Sequence, residues 1–91
     1  MSDQKVIIAS LAMDLRRVAL GLQRGSIGMA ERFKIEALQR QQELEVLQPN
    51  SYLTKLITGS KKALSNIDSK ASEDVLMYST LFQNLAQKLL N

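Results

Sequence analysis

The sequence predicts an all-α fold, an antiparallel up-down four-helix bundle with short connections. Three observations carry this. Apolar residues recur at alternating steps of three and four through four separate segments. The links between segments are only a few residues long, which makes neighbouring helices antiparallel. The period-2 alternation and the Val, Thr and aromatic clusters of strands are missing.

The first segment spans about Asp3 to Arg24. Ile8, Leu11, Leu15, Val18 and Leu22 form one helical seam. Ser2 or Asp3 can cap its start by accepting a bond from a free N–H. The second spans about Ile27 to Leu47, with Ala30, Phe33, Ala37, Leu44 and Leu47 on its seam. Arg40 falls where an apolar residue would continue that seam, and Glu36 with Arg40 is a favoured i,i+4 pair. Pro49 ends the segment, because its ring disfavours an α conformation at Gln48.

The third segment spans about Ser51 to Ile67, capped by Asn50 or Ser51. Leu53, Leu56, Ile57, Ser60, Ala63, Leu64 and Ile67 make one stripe, and Gly59 inside it costs about 1 kcal/mol relative to Ala. The fourth spans about Glu73 to Leu90, with Ser72 as its expected N-cap and Val75, Tyr78, Phe82, Leu85 and Leu89 on its seam. Residues 1–91 read as a single helical domain, a size with room for one core and little margin.

The stretch GLQRGSIG, from Gly21 to Gly28, is the one place that resembles a phosphate-binding loop. Its glycine spacing matches neither the dinucleotide fingerprint nor the P-loop, and a helix precedes it where either motif needs a strand. A turn explains it better. Gly25 takes the left-handed conformation that closes the first helix, and Ser26 caps the second. Gly21 permits close helix packing or is simply tolerated.

Composition narrows the function classes. The chain has no Cys and no His. That removes disulfides, thiolate ligands, the commonest general base and the commonest metal ligand together. No catalytic residues, cofactor or metal ligands are assigned. A di-iron bundle needs Glu-x-x-His, and Glu36, Glu43 and Glu45 read as solvated charge. Ser2 and Lys5 have an S-x-x-K spacing, but at a frayed chain start where no pocket can hold it.

The start, MSDQKVIIASLAMDL, does not read as a signal peptide, and no run approaches the ~20 apolar residues of a membrane span. The expected location is cytoplasmic, with no membrane partner.

Nucleic acid is the alternative partner. Arg16, Arg17 and the third segment's Lys55, Lys61 and Lys62 could touch phosphates. Yet residues 1–48 hold seven cations against six acids, and four aromatics are too few for a stacking platform. As a helix-turn-helix with Gly59 at the turn, LTKLITGSKKALSNIDSKA fails, because Thr58 and Ser60 flank the glycine where packing wants apolar groups.

The first helix carries a second apolar stripe. At about 100° per residue, Val6, Met13 and Leu20 cluster opposite the main seam. Ile35 and Val46 lie off the main seam of the second helix in the same way. Such a stripe is covered by the protein's own neighbouring helices, by a second copy, or by another protein. Arg17 and Arg24 border it as a rim would. The function expected from sequence is therefore a small non-enzymatic bundle acting through protein contacts. It self-associates as a dimer through Val6, Met13 and Leu20, with Arg17 and Arg24 at the rim and Ile35 and Val46 contributing.

Overall fold

The computed structural model describes residues 3–68 and 70–89. Four helices make up the fold: α1 (Asp3–Gln23), α2 (Ile27–Val46), α3 (Ser51–Leu64) and α4 (Ala71–Lys88). No strand occurs among the described residues. Helix α1 packs extensively against α2 on one side and α4 on the other, and α3 completes the ring against α4 and, more lightly, α2. The result is a compact four-helix bundle of 37 × 20 × 18 Å.

The predicted seams supply most of the core. Ile8, Leu11, Leu15, Val18 and Leu22 of α1 are buried, as are Ala30, Ala37 and Leu44 of α2. Leu53, Leu56, Ile57 and Leu64 of α3 and Val75 and Phe82 of α4 complete it. Phe33, Tyr78 and Leu85 are half-buried at its edge, whereas Leu47 and Leu89, past the helix ends, are exposed.

The α1–α2 turn answers the glycine-rich stretch. Gly25 has φ +72°, Ser26 N–H donates to the Gly21 carbonyl at 2.8 Å, and Gly25 N–H donates to that of Leu22 at 3.2 Å. This is the paired closure of a helix by a left-handed glycine. Ser26 stands at the N-cap position of α2, but its hydroxyl makes no capping bond, contrary to expectation. At Gly21 a Cβ would lie 2.9 Å from the Ala30 nitrogen, so the missing side chain is what lets α1 and α2 approach.

Several expectations are corrected. Helix α2 ends at Val46, and Gln48, released from the α conformation by Pro49, adopts φ 54°. Asn50 caps α3 as expected, its Oδ1 accepting from Leu53 N–H at 2.8 Å. Helix α3 stops at Leu64 instead of Ile67, and the Ser65 hydroxyl takes up the Lys62 carbonyl at 2.7 Å. Ile67 still packs half-buried against the core.

Helix α4 starts two residues before Glu73. Its first N–H groups are met by Asp68, whose Oδ1 accepts from Lys70 and Ala71 at 2.9 and 3.0 Å. Ser72, expected as the cap, is instead buried within the first turn. Ser2 and Leu90 lie outside the described residues.

The polar residue that continues the α2 seam is Gln41, not Arg40. Gln41 is fully buried, and its Nε2 donates to Ser60 Oγ of α3 at 2.7 Å. The Ser60 hydroxyl in turn donates to the Ile57 carbonyl at 2.9 Å. Gln41 Oε1 has no hydrogen-bond partner among the described residues, a cost of about 1–3 kcal/mol. Arg40 sits half-buried on the α1 side and pairs with Glu43 at 2.7 Å instead of with Glu36.

Candidate functional site: the outer face of α1

Helix α1 has its two long sides occupied, by α2 and by α4. Toward α2 it presents Asp14, Arg17 and Gly21. Toward α4 it presents Ala12, whose carbonyl accepts the Ser79 hydroxyl at 2.7 Å. The outer face is what remains, and the second apolar stripe lies on it. Val6 is 48% exposed and Met13 54% exposed. Leu20 is half-buried, so the bundle's own helices cover the stripe at that end only.

Ile35 and Val46 are more open still, at 66% and 76% exposed. They lie about 160° around α2 from its buried Ala30–Ala37–Leu44 stripe. The α1 stripe likewise points straight away from the core. Val6 lines a hollow with Arg40, Glu43 and Leu47 at the C-terminal end of α2, whereas Met13 lies on the α4 side of α1.

The two rim residues also part company. Arg24 is exposed beyond the end of α1. Arg17, its side chain 42% exposed, reaches across to α2: its guanidinium carbon lies 5.1 Å from the centre of the Phe33 ring, and its Nη1 is 3.6 Å from Asp14 Oδ1. Arg32 approaches the same ring at 5.5 Å. Arg17 of α1 is thus joined to the Phe33 ring of α2 by a cation–π contact.

Beside the stripe, between α1 and α4, runs a groove of about 350 Å³. Ala9, Ala12 and Ala86 give it small apolar walls, and Met13 stands at its edge. Its charged lining residues are Lys5 and Arg16, with no acid among them. Small side chains at this spacing let another helix come close. The groove follows from Ala9 and Ala12 being alanines on the flank that also meets Ser79.

Sequence reasoning missed Asp14. It was legible only as a residue about 40° beyond Val18 on the wheel, at the edge of the main seam. The structure buries it between α1 and α2. Burial raises its carboxyl above the ordinary value and Glu36 pushes the same way, while Arg40 and Arg17 pull it down. No comparable cluster of acids exists to hold a metal among the described residues. No described helix is long and apolar enough to cross a membrane.

The cations considered for nucleic acid are scattered. Lys61 of α3 pairs with Glu45 of α2, Arg17 is taken by Phe33 and Asp14, and Arg16 belongs to the α1–α4 groove. Lys55 and Lys62 are exposed.

No protein-family model matches the chain, no curated protein matches its sequence, and no solved structure matches its fold.

Proposed function

We propose that this chain is a non-enzymatic helical bundle that works through protein contacts, associating with a second copy of itself through the outer face of α1. The observation that carries this is the exposure of Val6 and Met13, seven residues apart, on a helix already packed along both flanks. Isolated exposed apolar side chains are ordinary on any protein. Two such residues seven apart, beside an apolar groove, match one step of a helix-packing seam.

The contact runs along α1, with Arg24 at its rim. Ile35 and Val46 are exposed apolar residues of α2, and Arg17 reaches across to the Phe33 ring. The absence of His and Cys from the sequence favours a binding role over catalysis.

Light scattering over a dilution series tests the proposal. The mass should rise from monomer toward dimer with concentration. Met13→Glu should stay helical by circular dichroism and remain monomeric over the same range. A wild-type chain that stays monomeric at millimolar concentration would overturn self-association.

A further inference from the structure

We propose that the groove between α1 and α4 seats an acidic amphipathic helix of another protein, one with two carboxylates about three turns apart and apolar side chains between them. The site is separate from self-association: Val6 takes no part in it, and Met13 stands only at its edge.

The first support is the order of residues along the groove. On α1, Lys5, Ala9, Ala12 and Arg16 line it at steps of four, three and four, so they form one row on a helix. The row reads cation, alanine, alanine, cation. Its two cations are about 16 Å apart along the helix axis. A small ligand with one anionic group would meet one of them. A helix packed along α1 meets both, because its own side chains recur at the same steps.

The second support is charge. No acid lines the groove, and among the described residues neither Lys5 nor Arg16 makes an ion pair. Arg17, Arg40 and Lys61, which stand at the other helix junctions, each have an acid beside them. Gln83 and Gln87 of α4 line the groove as well, and their amides can donate to a carboxylate. An anionic partner finds complementary groups at both ends, and such complementarity sets partner choice and orientation.

The third support is shape. Ala9, Ala12 and Ala86 keep the walls low, and the Ser79 hydroxyl is already committed to the Ala12 carbonyl at 2.7 Å. What remains is an apolar floor into which the side-chain ridge of another helix can pack. Met13 at the edge is flexible enough to adapt to it.

The chain's own helices do not supply this row in full. The exposed edge of α2 offers Glu31, Ile35, Leu38 and Gln42 at the same steps, with an amide where the second acid would stand. That favours a different protein over a second copy.

A fluorescein-labelled helical peptide of about 18 residues, with glutamate, leucine, leucine and glutamate at the groove's steps, tests this by fluorescence anisotropy. Titrated with the full chain at low salt, it should bind saturably. The chain carrying both Lys5→Glu and Arg16→Glu should bind it at least about tenfold more weakly while keeping its helicity by circular dichroism. A peptide with lysine in place of both glutamates should prefer that doubly reversed chain to the wild type, an exchange that loss of folding does not produce.

Equal binding of a peptide with glutamine in place of both glutamates would overturn the acidic partner. Binding unaltered by the two charge reversals would move the peptide to another face and overturn the site. No saturation up to millimolar chain would overturn the proposal outright. Light scattering on the unliganded chain reads self-association separately, so either reading can fail while the other stands.

Discussion

Replacing Gly59 with alanine probes how α3 and α4 are held together. By helix propensity alone the change stabilises, by about 1 kcal/mol. Tertiary packing opposes it. A Cβ at this position would lie 2.6 Å from Cζ and 2.9 Å from Cε1 of Tyr78 on α4. Comfortable carbon contacts are about 3.5–4.0 Å, so the ring must retreat by roughly 1 Å. Inserting a methyl group against a packed ring costs about 1–3 kcal/mol.

The expected net effect of Gly59→Ala is a destabilisation of about 1 kcal/mol, a fall in Tm of roughly 4–8 °C for a domain of this size. Truncating Tyr78 to alanine removes the obstacle. In that background Gly59→Ala should stabilise by about 1 kcal/mol, giving a coupling near 2 kcal/mol. Urea unfolding of the four proteins, followed by circular dichroism, measures this directly. An equal effect of Gly59→Ala in both backgrounds would refute close packing of Tyr78 over Gly59.

Four further outcomes are expected. Gly21→Ala meets the backbone of Ala30 and Ser26, which cannot rotate away, so it should cost about 2–3 kcal/mol in the same unfolding assay. Gln48→Gly should stabilise by about 1 kcal/mol, since φ 54° strains a residue with a side chain; no change in the urea midpoint would contradict that strain.

The raised carboxyl of Asp14 means that the folded chain holds this proton more tightly than the unfolded one, so stability is lost as pH rises from 3.8 through the higher folded value. Asp14→Asn should therefore be more stable than wild type at pH 7, with the difference shrinking toward pH 4; a less stable variant at pH 7 would reverse the sign. A labelled oligonucleotide at low salt should show no binding, and salt-sensitive binding there would revive the phosphate-contacting alternative.

The bundle was legible because its signals are local. The three–four spacing of Ile8 to Leu22, the breaker at Pro49 and the left-handed Gly25 each act within a few residues, and sequence displays such effects directly. The errors came where one local candidate competed with another. Asp68 and Ser72 can both cap α4, and the position of the first turn decides for Asp68. Arg40 and Gln41 are neighbours on the α2 wheel, and only the direction from which α3 arrives selects Gln41 for the core, where it donates to Ser60.

The candidate surface divides the same way. That α1 bears two apolar stripes is a property of its sequence alone, since a straight helix fixes where each side chain points. Which stripe is buried, and how far Leu20 is covered, depends on α2 and α4 occupying particular flanks. So does the division of the stripe itself, with Val6 opening toward the end of α2 and Met13 toward α4. Asp14 and Arg17 make the same point, as a seam-edge acid and a rim cation that meet α2 only once Glu36, Arg40 and Phe33 are brought beside them.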